Sequence, residues 1–337
     1  MDSDGTIIDE TIYPNTIADA QIFATQAKKR YGDCMAVCES TGNLWIKTCQ
    51  SFERNGIPVQ LANPVKTRAI AEARIKTDTL DARTLAHLLR SNLVAECYIA
   101  TPDIRDSRTL LRQRTNLVHD RTQVMNRIHC LLDKYDLSFE RCKDIFGVYG
   151  IKWLNQQHLA STHDDIMLHQ CIRHIEFLNH EIKHIESKIA QDAINSESVT
   201  ILMSMTGIDY FSAMLISSEI GDITRFSTPK KLISWAGLCP SIHQSGDSLY
   251  HGRMKEGNRK VRWIMIQAAH AATRTDGRLK QVYVRVANRR GRNVAITHVA
   301  NKMMTIIWHM LTNHALYNQR KQNLYDTKLK RMHKLIQ

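Results

Sequence analysis

The chain has 337 residues, enough for more than one buried core, and only 14 glycines and 6 prolines, a composition that favours long helices. Lys and Arg outnumber Asp and Glu by 46 to 33, and the net charge of +13 points to a polyanionic partner, nucleic acid before membrane. No apolar run is long enough to cross a bilayer and no signal peptide is recognisable, so a cytoplasmic protein with no membrane partner is expected. The eight cysteines are scattered without a C-x-x-C pair and read as buried free thiols in a reducing compartment.

Taken in chain order, "GTIIDETIY" predicts a strand over Thr6–Tyr13 and "TIADAQIFATQAKKRYG" a helix ending at Gly32. "CMAVCES" predicts a short strand, "NLWIKTCQSFERNG" a helix ending at Gly56, and "PVQLANP" another strand. Strand–helix–strand order with short links implies a largely parallel sheet. A helix carrying Asp78 and Asp81 follows. Two helical stretches come next. The second repeats Ile172, Ile175, Ile182, Ile185 and Ile189 at helical spacing, suited to coiled-coil-like pairing with the first, within one chain or between chains. His169, His180 and His184 fall opposite that stripe and read as an exposed polar face rather than metal ligands. A third, mostly helical part carries a loop near 237–257, and the basic tail "KLKRMHK" is expected to fray or to lie on phosphate. The boundaries expected are 1–102, 103–195, 196–320 and a tail over 321–337.

Asp78 and Asp81 lie three apart, so a helix aims both at one spot. A solvated face tempered by Arg74, Lys76 and Arg83 accounts for them; so does magnesium, which prefers hard oxygen ligands. Glu39 closes a strand, sharing a face with Met35 and Val37. It either caps the next helix or lines a site at the carboxyl end of a parallel strand. Carboxylates holding two divalent ions are suited to phosphodiester chemistry.

In "SWAGLCPSIHQSGDSLYHGRMKEGNRKVRW", glycines punctuate a loop that presents Ser245, with Ser241 and Ser248 as rivals, and Asn258 is a plausible N-cap for the following helix. A serine beside glycine is an ordinary turn residue; as a nucleophile it needs activation, and His243 and His251 offer no evident histidine–acid pair. Arg253, Lys255, Arg259, Lys260 and Arg262 crowd the helix start, where backbone amides also favour phosphate. With Lys66, Arg68, Arg74 and Lys76 beside the acidic pair, Arg253, Lys255, Arg259 and Arg262 are the cations expected to hold nucleic-acid backbone.

"CESTGN", "ANPVKTRAIAEARIKTDTLDARTLAHLLRS", "MTGIDYFSAMLISSEIGDITRF" and "WAGLCPSIHQSG…HGRMKEGNRKVRW" together resemble one family over nearly the whole chain. It is the insertion-sequence transposases with a RuvC-like N-terminal domain of DEDD type, related to the Piv DNA invertases. The resemblance implies an RNase H-like (RuvC-like) α/β domain, a helical coiled-coil middle and a mostly helical transposase domain with a serine nucleophile. It implies Mg2+ as cofactor, donor and target DNA and a structured bridge RNA as partners, and a homodimer or tetramer associated with the nucleoid. Glu39, Asp78 and Asp81 match three of the family's acidic metal ligands, Ser245 its serine, and Gly207, Glu219, Asp222 and Phe226 its run before the loop. The family's opening Gly-Ile-Asp strand has no counterpart in "MDSDGTIIDE", so the first acidic ligand is expected to be missing, with Asp2 and Asp4 as turn residues. Rival functions are a site-specific invertase, a metal-dependent junction nuclease without a serine intermediate, and a non-enzymatic nucleic-acid-binding remnant.

Overall fold

The structure is a computed structural model. It describes residues 1–70, 77–140, 144–245, 248–252, 254 and 257–336, with the backbone alone over 242–245 and 248–251. The described residues are mostly helical, with a small three-stranded sheet, and the chain divides into two compact units, Met1–Ala100 and Thr101–Gln337. No helix among the described residues is long and apolar enough to cross a membrane.

In the first unit, α1 (Ile17–Tyr31) starts where the Thr16 hydroxyl accepts the Asp19 N–H and stops at Gly32, which holds a positive φ of 63°. Strand β1 (Ala36–Glu39), helix α2 (Leu44–Arg54) and strand β2 (Val59–Ala62) form a strand–helix–strand unit. β1 and β2 pair in parallel, Ala36 opposite Val59 and Glu39 opposite Ala62, as the order of elements predicts. α3 (Pro64–Ile70), α4 (Asp78–Arg90) and β3 (Glu96–Cys97) follow; β3 adds to the other edge of β2 in the antiparallel sense. A small core of Ala24, Phe52 and Ile57 joins α1 to α2.

The strand expected over Thr6–Tyr13 does not form. Ile7, Ile8 and Ile12 are exposed, and the segment is tied to helices instead. Asp9 accepts from Arg30 (2.8 Å) and from the Tyr31 hydroxyl (3.0 Å), Glu10 takes a two-pronged bond from Arg83 (2.8 and 2.7 Å), and Tyr13 stacks on Phe23. β-Branched residues make a strand only where a neighbour supplies backbone partners and side-chain packing. Here the partners are side chains on α1 and α4. Asp2 behaves as expected of a turn residue: its Oδ1 accepts the N–H groups of Asp4 (3.1 Å) and Thr6 (2.8 Å).

In the second unit, α5 (Pro102–Lys134) and α7 (Thr162–Ile194) flank the short α6 (Val148–Leu154). The pair is antiparallel and lies within one chain, because Arg114 meets Glu186, Arg121 meets Asn179 and Lys134 meets Asp164. Ile172, Ile175, Ile182 and Ile189 are buried, as their spacing predicts. His180 and His184 stay exposed, but His169 is half-buried, drawn in beside Asp165 one turn earlier. The main core lies among α8 (Glu197–Met203), α9 (Tyr210–Ile220), α10 (Pro229–Trp235), α11 (Arg259–Thr275), α12 (Gly277–Arg290) and α13 (Arg292–Thr312). Between α10 and α11 stands an antiparallel hairpin, β4 (Ile242–Ser245) and β5 (Ser248–His251), where sequence indicated only a loop.

The tail does not fray. It forms α14 (Gln322–Ile336), which packs on α7, buries Met332 and sends the Lys328 ammonium to the carbonyls of Met203 and Met205, both at 2.8 Å. An amphipathic stripe of Leu329, Met332, Leu335 and Ile336 outweighs the charge that suggested a loose end. The cysteines also depart from expectation. Cys49 and Cys171 are buried, Cys34, Cys38 and Cys97 are half-buried, and Cys130 and Cys239 are exposed, while Cys142 lies outside the described residues. Scattered spacing says nothing about which face of an element a thiol occupies.

Candidate functional site

The parallel pairing of β1 with β2 carries the chain to Glu39 at the carboxyl end of β1, and the next residue still bonds across, Ser40 N–H to Ala62 O at 3.0 Å. Glu39 is half-buried, and its Oε1 accepts the Thr41 hydroxyl, so it serves the turn after β1 without capping α2. α4 packs against β1. Thr77 caps α4, accepting the Leu80 N–H at 3.2 Å, and this makes Asp78 and Asp81 first-turn residues rather than interior ones. Unpaired amides there favour negative charge, which by itself accounts for part of the pair's presence. Asp78 is exposed and Asp81 half-buried.

Of the cations expected beside the aspartates, Arg83 is held by Glu10, and Arg74 and Lys76 lie outside the described residues. Lys66 and Arg68 are exposed on α3, whose start is capped by the Asn63 side chain accepting from Val65 and Lys66. Glu39, Asp78 and Asp81 offer oxygen alone, the donor set a hard divalent ion takes. They are not drawn into one tight cluster: among the described residues, the trio of ligand atoms lying within 4.8 Å of one another is His158, Asp165 and His169.

Ser245 closes β4 and pairs with Ser248 at the end where the two strands of the hairpin connect, while Ile242 pairs with His251 near its base. Gly252 N–H bonds to Ser241 O at 2.8 Å and extends the pairing one step below the strands. The stem below is drawn together by two contacts. Gly257 has φ +98°, and a Cβ there would stand 2.4 Å from Gly237 Cα, so the two backbones touch where no side chain fits. Arg262 donates to Gly237 O (3.3 Å) and Met254 O (3.1 Å), which turns this expected phosphate ligand toward the stem. Arg259 is exposed; Arg253 and Lys255 lie outside the described residues.

Asn258 caps α11 as its sequence position predicts, its Oδ1 accepting from Lys260 (3.0 Å) and Val261 (3.1 Å). Its amide nitrogen reaches Glu219 Oε2 at 2.8 Å. Glu219 is 3% exposed and accepts from Arg112 at 3.0 Å, with Arg108 Nε 3.9 Å away. Arg108 also donates to the carbonyls of Ser218 (2.8 Å) and Glu219 (3.0 Å) at the end of α9. A buried carboxylate thus couples α5, α9 and the residue that follows the hairpin stem. Close by, Arg225 stacks over Phe226 (4.1 Å) and Trp235 (4.8 Å). Gly207, with φ +87°, lets the preceding turn lie against α11, since a Cβ there would come within 2.3 Å of Ala268 O. Sequence placed Gly207, Glu219 and Phe226 in a family run without giving them roles. The available signal for Glu219 was a lone charge inside the apolar "YFSAMLISSEI".

Residues 1–136 match the DEDD transposase family of IS110 type, and residues 199–284 match the family described as "Transposase IS116/IS110/IS902 family". The transposase for insertion sequence element IS1111A of Coxiella burnetii is 29% identical over 317 residues, covering 91% of this chain and 85% of that protein. The transposase for insertion sequence element IS1328 of Yersinia enterocolitica is 24% identical over 308 residues, covering 89% of this chain and 90% of its own. The transposase for IS1533 of Leptospira borgpetersenii is 27% identical over 191 residues, 55% of this chain and 54% of that one. These likenesses define the class, a DNA transposase. Within that class, residues 1–136 and 199–284 carry the similarity to the IS110/IS116/IS902 insertion-sequence transposases.

Proposed function

We propose that this transposase cuts and rejoins DNA with Ser245 as nucleophile and with Glu39, Asp78 and Asp81 as magnesium ligands, guided by a structured bridge RNA. The observation that carries the reading is the pairing, in one strongly basic chain, of an oxygen-only ligand set with a serine at the far end of a hairpin whose stem is fixed from below. Magnesium on the carboxylates would activate the attacking oxygen and steady the leaving one. The Ser245 oxygen bonds to phosphorus as the bond from phosphorus to the sugar oxygen of the neighbouring nucleotide breaks; the serine proton passes to a base, and the leaving oxygen takes up a proton to become a free sugar hydroxyl. The phosphodiester is conserved as a protein–DNA ester, and a sugar hydroxyl reverses the step on joining.

Lys66, Arg68, Arg74, Lys76, Arg253, Lys255 and Arg259 hold the phosphates of donor DNA, target DNA and guide RNA, with Arg262 supporting them through the stem. The same reading makes the first unit RNase H-like, gives the α5–α7 pair a coiled-coil role in a dimer or tetramer, and keeps the four-part division at 102, 195 and 320.

Ser245→Ala is the direct test, assayed on donor and target DNA with the guide RNA and Mg2+. Covalent protein–DNA adducts are expected to vanish while RNA retention is unchanged; adducts that persist would remove Ser245 from the reaction.

A further inference from the structure

The α6–α7 connection carries a second cluster that the transposition chemistry does not use. Leu159 is buried against α5 and α7, and its N–H donates to Asp165 Oδ1 at 2.9 Å. Ser161 caps α7, its carbonyl accepting the Asp165 N–H at 2.9 Å. These two anchors fix the backbone just after His158, whose ring lies beside that of His169 on α7. Asp165 and His169 are one turn apart on that helix, so they share a face. The neighbouring Asp164 points elsewhere, to Lys134 and Tyr135 at the end of α5, and leaves Asp165 to the loop.

His158 Nδ1 lies 3.7 Å from Asp165 Oδ1, and His169 Nε2 lies 3.8 Å from the same oxygen. The two imidazole rings are 5.8 Å apart, centre to centre. These nitrogen–oxygen separations exceed a hydrogen bond. They approach the spacing of two ligands on one tetrahedral ion, about 3.3–3.4 Å for zinc at its usual bond lengths. All three ligand atoms fall within 4.8 Å of one another. Two imidazoles and one carboxylate are the donor set of a borderline transition metal, whereas magnesium takes oxygen alone.

We propose that His158, Asp165 and His169 form a three-ligand site for a zinc-class transition-metal ion that ties the α6–α7 connection to the start of α7. Sequence spacing grouped His169 with His180 and His184 on an exposed face; the structure pairs it with Asp165 and with a residue from the preceding loop. A fourth position is left to water, and the ion braces the end of the α5–α7 pair opposite Glu219.

The test uses the full chain, stripped with a chelator and titrated with Co2+ in a large excess of Mg2+, alongside His158→Ala, His169→Ala and His180→Ala. Wild type is expected to bind one equivalent with the visible bands of nitrogen- and oxygen-ligated cobalt. His158→Ala and His169→Ala should each weaken binding about 10-fold or more, and His180→Ala should leave it unchanged. His158 is exposed, so its variant keeps the fold even where His169→Ala does not, as far-ultraviolet circular dichroism will show. The assignment is overturned if wild type takes up no cobalt, if His158→Ala binds as wild type does, or if a thiolate charge-transfer band moves the ion to cysteine.

Discussion

The two units hold their candidate site residues in opposite ways. In the first, Glu39, Asp78 and Asp81 sit at a strand end and in a first helical turn, half-buried or exposed, above a small core. In the second, the hairpin bearing Ser245 rises from a stem that a buried carboxylate, two arginines, an asparagine cap and one side-chain-free contact hold in place. Open ligands suit groups that exchange water around a cation, since magnesium keeps several of its own waters. A reacting side chain on a hairpin instead needs its backbone fixed from outside, because two strands alone are marginally stable. Substitutions in the second unit are therefore expected to act through the fold, and those in the first mainly through binding.

The largest expected effect is at Glu219. Glu219→Ala removes a buried charge and leaves Arg108 and Arg112 facing each other without it, a loss of about 3–5 kcal/mol by analogy with broken buried pairs. Urea unfolding would measure it, and a loss near that of a surface pair would dissolve the contrast between the units. Gly207→Ala comes next. It forces a Cβ within 2.3 Å of Ala268 O at a φ of +87°. A cost of about 2–3 kcal/mol is expected, from overpacking and backbone strain together.

Glu219 also shows where sequence stopped being informative. The long helices, the buried isoleucine stripe, the parallel β1–β2 pairing and the Asn258 cap all follow from local pattern, and each is present. The partners of Glu219 lie 107 to 111 positions upstream and 39 downstream, a convergence no window of sequence displays. Thr6–Tyr13 failed for a related reason: its β-branched residues favour a strand, but the groups that meet it belong to α1 and α4. The acidic trio was legible as residue types and only partly as geometry. The cap at Thr77 moved both aspartates into the first turn, where helix amides give them a reason to exist apart from metal.

Lys328 offers a pH test of the second unit. Burial pulls its ammonium down to about 8, with the Asp209 carboxylate opposing the shift. A lowered folded value means the unfolded chain holds the proton more tightly, so stability rises with pH from about 8 toward the unfolded value near 10.5. Tyr13, Tyr210 and Tyr317 are all pushed upward, chiefly by burial, and act in the other direction once unfolded tyrosines ionise near pH 10. Between about pH 8 and pH 10 the Cys171 and Cys239 thiols, held above their ordinary value by burial, also oppose the rise, so Lys328 is read as the difference between wild type and Lys328→Met. Across that range wild type should gain on the order of 2 kcal/mol relative to Lys328→Met. A Lys328→Met variant with the wild-type slope would place the titrating group elsewhere.

The smallest effects separate the two explanations of the aspartates. Thr77→Ala removes the cap of α4 and should cost about 1 kcal/mol, lowering the melting temperature of the first unit alone. Asp78→Asn and Asp81→Asn each lose a favourable charge at a helix start, worth about 0.3–1 kcal/mol and weakened by salt. If that were their whole purpose, Mg2+ would stabilise wild type and both variants equally. As ligands they would give wild type a melting temperature that climbs with Mg2+ concentration, because an ion bound only to the folded state stabilises it by mass action. Either asparagine would flatten that climb, while Thr77→Ala would keep its slope from a lower starting point. The slope against Mg2+, read apart from the melting temperature in its absence, therefore tells a ligand from a helix-end charge.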